Sequence, residues 1–164
     1  MDRGDGQRKT HVLAGDNSAA RRYYEEALGL DPSLSPREFL RFASESLGAP
    51  EQKEIFTACE QRFGGEADLY NNFAWLLAAS PAAEVRDPVA ALRLARKAVE
   101  LTQTTNAYYF GTLAAAEAAN GNFEDALSAL SRARRVSGQD DALLESADRM
   151  ESAFRGGRPF FDTR

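Results

Sequence analysis

The sequence predicts an all-α fold of about eight helices that pack as antiparallel hairpins. Alanine is abundant while β-branched residues are sparse, with Ile55 as the only isoleucine, and this bias favours helix over strand. Short segments of helical periodicity alternate with capping residues, prolines and glycines. One spacing of small and apolar residues also recurs along the chain, which indicates an internal repeat.

Three helices are predicted in the N-terminal part of the chain. The first follows Gly-Asp-Asn at 15–17 and ends near Leu30, before an Asp-Pro pair. The second opens on Ser-Pro-Arg-Glu at 35–38, where the serine can cap, the proline fits the first turn and the glutamate completes a capping box. The third opens at Pro50 and ends at the glycine pair 64–65.

Five further helices are predicted in the remainder. Asp87 followed by Pro88 is a cap with a first-turn proline, and Gly121-Asn122 separates two of the helices. The last helix carries an apolar stripe before the break at Gly156-Gly157. The expected helices run from about 66 to 79, from 88, from about 105 to 120, from 123 to about 136, and from about 140 to 154.

The repeated spacing occurs once in each predicted hairpin, in one of its two helices. A small residue is followed four positions on by an apolar residue and three later by alanine; Ala98 and Ala133 end two copies that are 35 residues apart. Alanine at a crossing lets two helices approach closely while larger residues fill the space beside them. The copies are Ala20, Tyr24, Ala27; Ala91, Ala95, Ala98; Ala126, Leu130, Ala133; and, in degenerate form, Ile55, Cys59, Arg62.

These copies resemble the tetratricopeptide repeat family, most clearly over residues 15–32 and 111–133. Residues 71–101 are similar to a bacterial variant with a lengthened loop between its helices. The resemblance implies a right-handed superhelical solenoid. It divides the chain into a polar, disordered segment 1–12, a repeat domain 13–155 and a tail 156–164. Within the domain it implies a half repeat 13–33, a degenerate repeat 35–64, repeats 66–102 and 105–137, and a capping helix 139–155.

Composition excludes several classes of protein. The net charge of −5 argues against a nucleic-acid binder, which needs a basic footprint. One Cys and one His, Cys59 and His11, exclude a disulfide framework and a multi-histidine metal site, so no metal, cofactor or catalytic residue is expected. No apolar run is long enough to span a membrane, and the polar N-terminus is unlike a secretory signal, so we expect a cytoplasmic protein.

The resemblance also implies a partner-binding groove, because the first helices of successive repeats line a concave face in that family. Trp75 and Tyr108 would form an aromatic pair beside small residues such as Gly111, which suits an apolar anchor. Trp75 could instead pack between repeats as core. The groove residues carried over by repeat position are Arg37, Leu40, Ser44, Asp68, Asn71, Asn72, Trp75, Tyr108, Thr112 and Ala115.

The first repeat lacks its first helix, since residues 2–10 are polar and contain two glycines. Its remaining helix would expose an apolar stripe of Ala20, Tyr24 and Leu28. Three explanations stay open: Met1 is not the natural boundary of the array, the helix packs on the second hairpin alone, or a second copy of the chain covers the stripe in a homodimer.

The expected function is a non-catalytic scaffold that binds a peptide or a partner protein in the concave groove, because a solenoid offers a large exposed face and no site chemistry. The alternative is a regulatory or accessory segment of a larger enzyme or complex, motivated by the incomplete first repeat. Neither expectation makes the chain itself an enzyme.

Overall fold

The computed structural model describes residues 48, 52–53, 56–57, 60, 65–103, 106–138 and 140–163. This part of the chain is all-α, without strands, as the composition predicts. Residues 52–53, 56–57 and 60 are helical, and five complete helices follow. These are α1 (Ala67–Ala79), α2 (Pro88–Leu101), α3 (Ala107–Ala119), α4 (Phe123–Ser137) and α5 (Asp141–Arg155).

The start of α2 and both bounds of the other four helices lie within two residues of those expected from the punctuation of the sequence. The first two predicted helices, residues 1–12 and the stripe of Ala20, Tyr24 and Leu28 lie outside the described residues, and so does Cys59. The expectations of a disordered segment and of a homodimer therefore concern a region about which the structure says nothing.

Side-chain caps explain where three of the helices begin. Asp87 accepts a hydrogen bond from the backbone N–H of Ala90 at 3.0 Å, and Pro88 occupies the first position of α2, where a missing N–H costs nothing. Asn106 accepts from the N–H of Tyr108 at 3.0 Å ahead of α3. Asp140 accepts from the N–H of Leu143 at 3.0 Å ahead of α5. Each cap satisfies a donor that the first turn of a helix leaves without a partner.

Cross-helix bonds set the relative directions of the helices. Asn120 Nδ2, just after α3, donates to the carbonyl of Pro88 at the start of α2 over 2.7 Å, so α2 and α3 run antiparallel. The hydroxyl of Tyr109 in the first turn of α3 donates to Asp68 in the first turn of α1, so these two helices run parallel. The guanidinium carbon of Arg132, near the end of α4, lies over the ring of Phe110 in the first turn of α3, and Tyr108 of α3 bonds to the cap of α5, so direction alternates from one helix to the next.

Helix α3 is the centre of the packing. It contacts each of the other four helices, and its residues from Tyr109 to Ala118 are all buried. Alanines make this close approach feasible because a methyl group is the smallest side chain that still presents a carbon surface. The fully buried alanines are Ala74, Ala78, Ala91, Ala95, Ala98, Ala114, Ala116, Ala126 and Ala133.

The segment that follows α5 turns back toward α1 instead of leaving the fold. Gly157 has a φ of 65°, which reverses the chain at little cost for glycine. Phe160 is buried, and the N–H of Asp162 donates to the carbonyl of Ala79 at the end of α1 over 2.8 Å. We call residues 158–163 the strap. The tail expected from sequence is therefore part of the folded domain in this region.

Candidate functional site

A groove of about 340 Å³ opens between α1, α3 and α5, with α4 at its base. The described residues that line it are uncharged, and most of its surface is apolar. Its two aromatic walls, Trp75 and Tyr108, stand on α1 and α3. The lining consists of Asn71, Asn72, Trp75, Tyr108, Gly111, Thr112, Leu130, Ala133, Ala142, Leu143, Ser146, Ala147 and Met150.

Tyr108 forms the rim of the groove at the N-terminal end of α3. Its side chain is 55% exposed, and its hydroxyl donates to Oδ2 of Asp140 over 2.6 Å. That bond raises the pKa of Tyr108, because the carboxylate stabilises the protonated hydroxyl. The same bond, followed by the N–H of Leu143, lowers the pKa of Asp140. The aromatic rim is thereby fixed to the cap of α5.

Trp75 separates this groove from a second cavity. It is half-buried and packs against the core, and it lines both spaces together with Asn72. On the far side its ring meets Phe160 of the strap, with ring centroids 6.1 Å apart and planes at 45°. Trp75 is therefore at once a groove wall and a packing residue.

Two asparagines supply the amide groups of the groove. Asn71 Nδ2 lies 3.4 Å from Oδ1 of Asn72, while Oδ1 of Asn71 is buried and accepts no hydrogen bond in the structure. A buried acceptor without a donor costs free energy, so this oxygen is a local cost within the wall of the groove.

The structure places the sequence-predicted groove residues in three ways. Asn71, Asn72, Trp75, Tyr108 and Thr112 line the groove. Asp68 instead accepts the hydroxyl of Tyr109, and Ala115 is buried in the core at 1% exposure. The remaining three, Arg37, Leu40 and Ser44, lie outside the described residues.

Helix α5 forms a wall of the groove that the sequence reasoning missed. It was expected only to cap the array, with its apolar stripe packed inward. The stripe residues Leu143, Ala147 and Met150 do pack inward, yet they also face the groove, together with the small residues Ala142 and Ser146. Small residues four positions apart beside such a stripe are the signal that could have indicated an open face.

The polar face of α5 is only partly exposed. Glu145, Asp148 and Ser152 are exposed. Arg149 instead lies over the ring of Phe160, with its guanidinium carbon 5.4 Å from the ring centroid. Glu151 is half-buried and binds Arg134 of α4 at 3.0 Å.

The described residues offer neither a metal site nor a membrane-spanning helix. Within these ranges no group of three or more His, Cys, Asp or Glu side chains is arranged to hold a metal ion. None of the helices in this part of the chain is long and apolar enough to cross a membrane. The groove is thus the candidate site.

No family model, characterised protein or solved structure matches the chain. The resemblance to tetratricopeptide repeats stays a prediction from the residues themselves.

Proposed function

We propose that this chain is a non-catalytic interaction scaffold, a solenoid of the tetratricopeptide type, that binds a peptide segment of a partner protein in the groove. The arrangement of the described helices supports this proposal. Successive helices pack on one another with alternating direction, and α3 also contacts both α1 and α5. Helices α1, α3 and α5 then run parallel on one side of the domain, as the first helices of stacked hairpins would. The groove lies on that side.

The observation that carries the proposal is the chemistry of the lining. Trp75 and Tyr108 offer rigid aromatic surface at low entropic cost, and Met150 offers an adaptable apolar one. Gly111 has no side chain and therefore leaves space in the groove between these residues. An uncharged, open groove of this kind suits an apolar anchor side chain, since burying it there displaces water from surfaces that bind water weakly.

Polar groups at the walls suit the backbone of the same segment. Asn72 is exposed and offers an amide group, and Ser146 offers a hydroxyl group that both donates and accepts. A peptide offers N–H and C=O groups on either side of its anchor. We therefore propose a segment with an apolar or aromatic anchor and no charged residue next to it as the ligand.

Selection from a displayed library of random peptides tests this function. Peptides selected on the wild-type chain should share an apolar anchor and bind Tyr108→Ala and Ala142→Arg at least tenfold more weakly. Tyr108 and Ala142 are exposed groove residues, so these changes leave the core intact. Ser152→Arg is the matched control because it adds the same charge to α5 on an exposed position outside the lining.

Binding can be followed by the emission of Trp75, the single tryptophan of the chain. A ligand in the groove should shift that emission in the wild type and in Ser152→Arg. Selected peptides that bind all variants equally, or a library that yields no binder, would contradict a peptide-binding groove.

A further inference from the structure

Aromatic, cation–π and backbone contacts join the strap to the domain. Phe160 packs against Trp75 on one side and Arg149 on the other. The ring of Phe161 lies 4.3 Å below the guanidinium carbon of Arg86, which itself donates to the carbonyl of Ser80 over 3.0 Å. The backbone N–H of Asp162 donates to the carbonyl of Ala79 at the end of α1.

That backbone contact has a physical cause. The last four carbonyl groups of a helix accept no hydrogen bond within the helix, so they can accept one from a donor elsewhere. The N–H of Asp162 satisfies the carbonyl of Ala79 in this way over 2.8 Å. An extended segment with two adjacent aromatic residues and a following N–H therefore matches this surface in shape and in chemistry.

The strap and the groove share one side chain. Trp75 lines the groove, and it also lines the second cavity, of about 650 Å³, whose wall includes Asp162 and Thr163. Phe56, Leu76 and Pro81 supply apolar surface to the same second cavity. If the strap left, the second cavity would lose the part of its wall formed by Asp162 and Thr163, and it would then adjoin the groove at the indole ring of Trp75.

The attachment is uneven along the strap, because Phe160 is buried whereas Phe161 is exposed. Phe161 keeps 39% of its surface exposed, and the two glycines before the strap connect it to α5 without a rigid element. The strap gains its occupancy from the tether, since a short linker holds a segment at an effective concentration of the order of millimolar. A free segment of similar chemistry can therefore compete when its own affinity is higher.

We infer that the surface under the strap is a second docking site, and that the strap is its intramolecular occupant. The partner it fits is an extended segment with two adjacent aromatic residues, of which the chain's own Phe160-Phe161 is the example in place. Release of the strap extends the groove across Trp75. This last step rests on the proposed function, whereas the docking of the strap sequence does not.

The test uses the full chain and a fluorescein-labelled peptide of residues 156–163. In the variant Phe160→Ala the strap loses its anchor, so the peptide should bind this variant at least tenfold more tightly than the wild type, where the tethered strap competes. Trp75 emission should shift to the red in the variant and return when the peptide binds. A peptide with alanine at the position of Phe160 is the control and should bind neither chain.

A second pair of variants protects the test from a folding defect. Asp162→Pro removes the N–H that Ala79 accepts, while Asp162→Ala retains it and removes the same carboxylate. The labelled peptide should bind Asp162→Pro more tightly than Asp162→Ala, and far-ultraviolet circular dichroism should be unchanged in both. Equal binding to wild type and to every variant, or no binding to a folded strap variant, would overturn the inference.

The two proposals fail separately. A strap peptide that binds Phe160→Ala, beside a library that yields no groove binder, removes the proposed function and leaves the docking site. Groove binders that are sensitive to Tyr108→Ala, beside a strap peptide that binds nothing, do the reverse.

Discussion

The hydroxyl of Tyr108 lies 2.6 Å from Oδ2 of Asp140, and this bond joins the first turn of α3 to the cap of α5 across one end of the groove. Asp140 uses its other oxygen, Oδ1, to accept the N–H of Leu143 at 3.0 Å. One carboxylate therefore starts a helix and holds the rim of the candidate site.

Asp140→Asn should make stability less dependent on pH in acid. The bonds from Tyr108 and Leu143 lower the pKa of Asp140, so their stabilisation is complete above the ordinary aspartate pKa of about 3.9 and is lost as the pH falls through the lower folded value. Urea unfolding between about pH 3 and 6 should show a shallower decline for the variant than for the wild type. The pKa of Tyr108, followed by NMR, should fall toward its usual value in the variant.

Asp141→Asn is the control for this experiment, because it removes the same charge from the adjacent exposed residue in the first turn of α5. An equal effect of the two variants on the acid dependence would show that net charge, and not the bond to Tyr108, is responsible.

Gly111→Ala should stabilise the fold and weaken ligand binding at once. Glycine in a helix interior is about 1 kcal/mol less favourable than alanine. A Cβ at this position would lie 3.8 Å from Cε of Met150, an ordinary contact, so the free energy of unfolding should rise by up to about 1 kcal/mol. The added methyl group would stand in the groove and lower the affinity for groove peptides. Chemical denaturation and the peptide titration measure the two effects.

Gly121→Ala provides the contrast, since Gly121 has a φ of 82° and lies outside the groove. There the same added methyl group should lower the free energy of unfolding by about 1 kcal/mol, because an L residue is strained in the left-handed region. Stabilisation by both substitutions would contradict the argument.

Asp87→Ala should destabilise the chain by about 1 kcal/mol through the loss of the cap of α2. The carboxylate accepts the N–H of Ala90, a donor that the first turn of the helix leaves open. Urea unfolding measures the change. Glu84→Ala, in the exposed loop before α2, removes the same charge without touching a cap and should be close to neutral.

The ion pair of Arg96 and Glu117 should contribute little in spite of its short distance of 2.9 Å. Glu117 is 6% exposed at its side chain but Arg96 is 62% exposed, so water screens the pair. A double-mutant cycle with Arg96→Ala and Glu117→Gln should give a coupling energy below about 1 kcal/mol. A coupling of several kcal/mol would mean that the pair behaves as a fully buried one.

The local parts of this fold were predictable because their causes lie close together in sequence. Asp87 with Pro88, and Asp140 at the head of the last helix, act on backbone groups within a few residues. Of the candidate site, the sequence pointed to Trp75, Tyr108, Asn71, Asn72 and Thr112 by repeat position, and the structure places them along one groove.

The sequence could not show that Asp68 and Ala115 lie away from the lining, since this depends on what packs against them. Asp68 meets a tyrosine 41 residues later in the chain, and Ala115 lies in the core of the central helix. Repeat position predicts the face of a helix that a residue occupies, but the neighbouring helices determine whether that face is open.

The sequence by itself determined the all-α class and the bounds of the described helices, because capping, helical periodicity and helix-breaking residues act over one or two turns. Only the tertiary structure decided that α5 is a wall of the groove and that Phe160 of the strap lies against Trp75. Trp75 and Phe160 are 85 positions apart in the chain, so no local sequence pattern relates them. The free energy of these contacts comes from burial between elements, which is a property of the assembled helices and not of any segment alone.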